Sequence, residues 1–329
     1  MTLFIPIMDF FEHAPIHDTS RKMYNTRLNE WIEFMPNHFK SITNIVMLPD
    51  LALRVLNDRI RTNTASSRHM YIVAVLSFIR HHITQLCECL TKDVALPLRE
   101  RWIAINAENE APIIQRRLEN KPTVLQQAKG GSKMSLNDIV EKRNELPSGS
   151  IERLLIAMYT MIPPCRADYF AMEVVRGEAE PTAKNYLRIR EEEKGSGMET
   201  VLRDFKTAKI FKEIRNELPA DLVREVEASM EKTPRKYLFM NANGKPHTRN
   251  SFTMWTRRVL SRVFGTDFTL VFFRHAFATH YVMNVDLRTM TDAQIKEISD
   301  KMGHSTEMFR AYRWIRGEEV ESGGESDED

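Results

Sequence analysis

The chain is predicted to be mainly α-helical, with one small β-sheet confined to its second half. Three observations lead there. Apolar residues recur at helical spacing through the first third of the sequence; the run ENKPTVLQQAKGGSK (119–133) breaks that spacing with Pro, Gly-Gly and polar residues; and strand-like alternation arises only between Asn185 and Glu217. A length of 329 residues suits about two domains. The division predicted is a helical domain over 1–118, a linker over 119–133, an α+β domain over 134–317 and an acidic disordered tail over 318–329.

In the first domain Tyr24, Leu28, Trp31, Ile32 and Met35 fall on one helical face, with Thr19 and Ser20 as N-cap candidates. A second helix is predicted over 67–82, turning Met70, Val73, Leu76, Phe78 and Ile79 inward and Arg68 and Arg80 outward. A third is expected over 98–106, because Pro97 suits a first helical position where a missing N–H costs nothing; more helix is expected over 113–118. After the linker, SIERLLIAMYTM (150–161) reads as an apolar helix that must stop before Pro163 and Pro164, and a new helix is expected to start at once with Arg166 in its first turn. Tyr186, Leu187 and Ile189, with turns at Gly195 and Gly197, predict two or three short strands. Helices resume at Ala220, and TDAQIKEISDKMGHS carries a capping box (Thr291, Gln294) and a stop at Gly303.

Charge narrows the partners. The 47 Lys and Arg against 45 Asp and Glu give +2, but EEVESGGESDED at the end holds seven acids, leaving 38 acids against 47 bases, or +9, in the rest. Such a surplus favours a polyanion such as nucleic acid, although a solvated basic surface with an incidental tail fits the charge equally well. No stretch approaches the roughly 18 apolar residues of a membrane span, and the first residues carry acids where a signal peptide carries bases. Cys87, Cys89 and Cys165 are odd in number and lack CxxC spacing, so no disulfide framework or zinc site is indicated. An intracellular protein with no membrane partner is expected.

The informative motifs are PPCRADYF (163–170), LRDFKTAKIF (202–211), VFFRHAFATH (271–280) and KMGHSTEMFRAY (301–312). Taken alone, an Arg after two prolines also suits a surface ion pair, a Lys on a strand is commonplace, and Tyr312 between Phe309 and Trp314 is also an aromatic of an amphipathic helix. Taken together in this order, the four motifs resemble the tyrosine recombinase (integrase) family, in a flavour closer to the branch of large DNA viruses and related eukaryotic elements. The resemblance implies a helical core-binding domain, an α+β catalytic domain, and site-specific cleavage and rejoining of double-stranded DNA through a 3′-phosphotyrosyl ester. It also implies a synaptic tetramer on DNA and no metal or other cofactor.

Residue by residue, the resemblance makes Arg166 and Arg274 clamps on the scissile phosphate, His304 a hydrogen-bond donor to it, Lys206 on a hairpin the acid for the leaving 5′-oxygen with Lys209 as substitute, and Tyr312 the nucleophile. Guanidinium forks suit a phosphorane because they meet two oxygens at once. A phenol of pKa about 10 needs such positive neighbours to ionise at neutral pH. Arg27, Arg68 and Arg80, beside Tyr24, are expected to face DNA backbone, with the two domains clamping the duplex. One departure stands out: where the family has His or Lys three residues before the second arginine, this chain has Val271, which neither donates nor moves a proton. His275 is assigned a structural role and is the first candidate to cover that loss. Two other readings stay open, a type IB topoisomerase or telomere-resolvase-like enzyme and a DNA-binding protein whose catalysis has lapsed.

Overall fold

The computed structural model describes residues 9–192, 195–284 and 290–313. The acidic tail and Trp314 lie outside the described residues, as does most of the stretch read for a signal peptide. The fold is mainly helical with one four-stranded sheet, and the chain separates into two compact units, Met1–Leu118 and Glu119–Asp329. Among the described residues no helix is long and apolar enough to cross a membrane.

Unit 1 comprises α1 (Asp18–Phe34), α2 (Ile42–Met47), α3 (Pro49–Arg59), α4 (Ala65–His81), α5 (Ile83–Leu90) and α6 (Lys92–Leu118). Its core is built on two tryptophans from distant helices. Trp31 of α1 and Trp102 of α6 are wholly buried and meet edge to face at 5.7 Å. Each indole N–H finds a backbone acceptor at 3.0 Å, Trp31 on Ala52 O and Trp102 on Val46 O, so the burial leaves no polar atom unsatisfied. Leu28, Ile32 and Met35 complete the face that helical spacing assigned to α1.

Several local expectations are corrected here. His17, not Thr19 or Ser20, caps α1, its ring nitrogen accepting from Thr19 N–H. The buried face of α4 is Tyr71, Ile72, Val75, Phe78 and Ile79, while Met70, Val73 and Leu76 are only half-buried. The separate helices expected around Pro97 and Pro112 are one, α6, with both prolines inside it. Each proline forgoes one backbone hydrogen bond, but the buried face of Ala95, Trp102, Ile105 and Ile113 runs past both interruptions and holds the helix together.

Unit 2 comprises α7 (Val124–Gln127), α8 (Leu136–Glu145), α9 (Ile151–Thr160), β1 (Glu173–Arg176), β2 (Tyr186–Glu192), β3 (Gly195–Leu202), α10 (Ala208–Phe211), β4 (Ile214–Glu217), α11 (Ala220–Lys232), α12 (Arg249–Phe264), α13 (Leu270–Asn284), α14 (Asp292–Lys301) and α15 (Thr306–Tyr312). The run expected as a linker is structured: α7 has a capping box from Thr123 and Gln126, Lys129 pairs with Asp267, and Gly131 sits where a Cβ would meet the Phe268 and Phe272 rings at 2.8 and 2.9 Å. Helix α9 is buried on nearly every side, from Leu154 through Tyr159, and Arg153 at its start grips Glu225 of α11 through two nitrogens.

The sheet runs β1-β2-β3-β4, with β1 parallel to β2 and the other pairs antiparallel. Leu187, Ile189, Met198, Leu202 and Ile214 turn into the core, and Tyr186, Val201 and Val175 form a small cluster on the opposite face. Strand β1 was not expected, because four residues in a parallel pairing show no alternation of their own.

Replacing Trp31 by Ala is expected to cost unit 1 roughly 3–5 kcal/mol, the usual range for an aromatic lost from a core. Urea unfolding followed by far-ultraviolet circular dichroism measures it, and an unchanged midpoint for unit 1 would contradict the tryptophan pair as its centre.

Candidate active site

Four segments of unit 2 converge on one group of side chains. The first is the bend after α9. No helix follows Pro164, contrary to expectation; the Asp168 carboxylate accepts from Arg166 N–H at 3.0 Å, a turn that competes with a helical start, and Tyr159 Oη donates to Arg166 O at 2.6 Å. The guanidinium of Arg166 then reaches Gly303 O at 3.3 Å.

Arg274 comes from within α13 rather than from a helix end, and is 1% exposed. Its Nη1 donates to Pro164 O at 2.7 Å and to Met302 O at 3.0 Å, so one guanidinium ties the bend after α9 to the end of α14. Its Nε and Nη2 are buried without an acceptor. Neither Arg166 nor Arg274 forms an ion pair through its guanidinium among the described residues, for their side-chain bonds go to backbone carbonyls. A buried charge so left is costly unless an anion joins it.

His304 lies in the turn between α14 and α15, after Gly303, whose φ of +69° makes that turn. Its ring is 3% exposed, with Nδ1 at 3.2 Å from Ser305 O and Nε2 buried without a partner. Burial, helped by the charge on Arg274, pushes its pKa down to about 3.

Tyr312 ends α15 inside a ring of these groups. The Arg274 guanidinium lies 4.8 Å from its ring centroid, His304 stacks on it at 5.2 Å, and His275 packs at 4.8 Å. His275 Nδ1 also donates to Tyr312 O at 2.7 Å, satisfying a carbonyl that the helix end leaves open. Burial depresses the His275 pKa to about 4. For the Tyr312 phenol, burial pushes upward, but the positive charges of Arg274 and Arg166 together outweigh it and bring the phenol below its ordinary value.

The other site expectations fall in different places. Lys206 is in an exposed turn after β3 rather than on a hairpin strand, and Lys209 is exposed on α10. Thr207, beside Lys206, donates from its hydroxyl to Gly303 O at 2.8 Å. Val271 is 42% exposed, outside the buried face of α13. In unit 1, Arg27 bonds Glu30 at 2.7 Å and Tyr71 Oη at 3.2 Å, Arg68 bonds Asn109 and Asn63, and Arg80 is exposed. Arg27 and Arg68 thus join helices of unit 1, while Arg80 is open to solvent.

Sequence reasoning missed a supporting network. Asp168 also pairs with Arg249 at the start of α12, Arg249 reaches Asp204 O at 3.1 Å, and Asn185 bonds both Asp168 O and Asp204 O. Only Asp168 carried a local signal, an Asp two residues after the arginine at a turn. Nothing local marks Arg249, which is 81 positions from its partner.

No protein-family model matches the chain, and no curated protein sequence matches it. Among solved structures it is similar to that described as the crystal structure of XerA recombinase, at 15% identity and a TM-score of 0.40, over 93% of this chain and 90% of that one.

The two buried histidines make stability depend on pH. An unfolded imidazole titrates near 6.5, whereas His304 and His275 do so near 3 and 4. Between those values the unfolded chain binds protons that the folded one refuses, so stability falls as pH falls, by up to about 1.4 kcal/mol per pH unit for each histidine. Thermal melts between pH 7 and 5 should show a falling midpoint that is flatter in His275→Gln and His304→Gln. A midpoint that is level in the parent protein would contradict the neutral, buried rings.

Proposed function

We propose that this protein cleaves and rejoins strands of double-stranded DNA through a covalent ester between Tyr312 and a 3′-phosphate, as a site-specific recombinase does. One observation carries the reading. Among the described residues Arg274 is almost wholly buried, has no carboxylate partner, and leaves Nε and Nη2 unpaired beside the unpaired Nε2 of His304 and the phenol of Tyr312. A phosphodiester supplies the missing acceptors, and its charge grows on the non-bridging oxygens as the phosphorane forms, where Arg274 and Arg166 meet it.

In this reading Tyr312 Oη attacks phosphorus, its proton released to solvent under the positive charge of Arg274 and Arg166, and Lys206 gives a proton to the 5′-oxygen as the P–O bond breaks. The phosphotyrosyl ester keeps the energy of the broken bond, so a 5′-hydroxyl can reverse the step. Arg80 and Lys209 are proposed as contacts to the DNA backbone, with Arg27 and Arg68 acting there only if their present partners release them. Four copies on two sites would exchange strands in turn.

The test is a pool of nicked duplexes of random sequence in which the cleaved fragment diffuses away. The parent protein should give a DNA adduct that survives detergent, and Tyr312→Phe should give none while still retarding DNA. An adduct persisting in Tyr312→Phe moves the nucleophile elsewhere. Arg274→Ala and Arg166→Ala should each slow adduct formation by about a hundredfold or more, as loss of a preorganised transition-state donor does. Relaxation of supercoiled DNA without joining of two sites would turn the reading to a topoisomerase, and no adduct from any sequence would leave a binding protein.

A further inference from the structure

The turn that carries Lys206 has a feature that its own secondary structure does not require. Thr207 occupies the N-cap position of α10, where a threonine hydroxyl ordinarily accepts from a backbone N–H of the first helical turn. Here it makes no such bond. The hydroxyl instead donates at 2.8 Å to Gly303 O, 96 positions away. A four-residue helix thereby gives up its cap in exchange for a cross-link to the turn that holds His304.

Gly303 O is also the acceptor for Arg166 Nη1 at 3.3 Å. One carbonyl oxygen therefore joins the segment bearing the first arginine to the segment bearing the lysine, one residue before His304. The Lys206 segment packs against Gly303: a Cβ there would stand in ordinary contact, 3.5 Å from Thr207 Oγ1 and 3.6 Å from the Phe205 ring. Phe205 is buried, and so anchors the turn from its other end, while Lys206 between these two anchors is exposed and forms no bond among the described residues.

We infer that Thr207 is a positioning residue for Lys206: its hydroxyl fixes the turn on Gly303 O, so that the ammonium is aimed from the same point of reference as the Arg166 guanidinium. The inference rests on the proposed phosphotyrosyl chemistry. It assigns the acid to Lys206 over Lys209, because Lys209 lies on α10 beyond the anchored pair. Positioning through one hydroxyl suits an acid that must reach an oxygen leaving from phosphorus while the phosphate itself is held by other groups.

The experiment separates help to the leaving group from help to the phosphate. Two nicked duplexes of one sequence, chosen from the random pool, carry at the scissile position either the ordinary 5′-bridging oxygen or a 5′-bridging sulfur. A thiol has a pKa near 8.5, so the sulfur departs as thiolate without a proton being supplied. Thr207→Val removes the hydroxyl and keeps the shape. It should slow adduct formation roughly ten- to a hundredfold on the oxygen substrate, part of what general acid catalysis supplies, and leave the sulfur substrate near the parent rate. Lys206→Ala should show the same pattern more strongly, Lys209→Ala, which removes a proposed backbone contact, should slow both substrates alike, and Thr207→Ser should restore the parent rate on both.

Equal slowing of Thr207→Val on both substrates would assign the hydroxyl to the phosphate site or to folding and overturn the inference, as would parent rates on both. Failure of the underlying reading looks different: the parent protein then forms no adduct with either substrate, or Tyr312→Phe forms one.

Discussion

The fold of unit 2 is organised around a cation that has no anionic partner among the described residues. Arg274 sits at 1% exposure on two backbone carbonyls, Pro164 O and Met302 O, contributed by segments far apart in the chain. Carbonyls orient a guanidinium but neutralise only part of its charge, which adds to burial at His304 and Arg166 and opposes it at Tyr312. His304 is held neutral, the Arg166 pKa is lowered by burial and by the Arg274 charge, and the Tyr312 phenol is drawn down against the cost of its burial. The Tyr312 shift, downward against burial, has the sign expected of a pocket prepared for negative charge.

The unpaired site rests on a paired support. The Asp168, Arg249, Asn185 and Asp204 network satisfies its own charges and holds the bend from which Arg166 projects. It is paired where the site is unpaired. The carboxylate of Asp168 spends one oxygen on Arg249 and the other on the Arg166 N–H, so it stabilises the backbone of Arg166 without pairing with its guanidinium.

Much of this was legible in the residues, and the failures have physical causes. Helix α9 and the capping box of α14 follow from local rules, apolar spacing and an N-cap, and the order Arg166, Arg274, His304, Tyr312 is a property of the chain itself. Where a tertiary contact overrides a local rule, reading failed. Pro97 and Pro112 should end helices, but the long buried face of α6 carries the helix through them. Pro164 should open one, but the Asp168 side chain captures the N–H that a helix would use. Strand β1 depends on a parallel neighbour that no window of four residues contains.

Helix α15 is a strut pinned at both ends. Ser305 caps its start by accepting from Met308 N–H, and the His275 imidazole closes its end on Tyr312 O. Seven residues cannot hold a helix by their own hydrogen bonds. The two pins and the buried Phe309 ring therefore set the rotation of the whole segment about its axis, and with it the bearing of the phenol. A serine seven positions from Tyr312, its hydroxyl bonded to a backbone N–H at the far end of the helix, thus shares control of where the phenolic oxygen points, and loss of that hydroxyl would be felt as misalignment of an otherwise complete set of side chains.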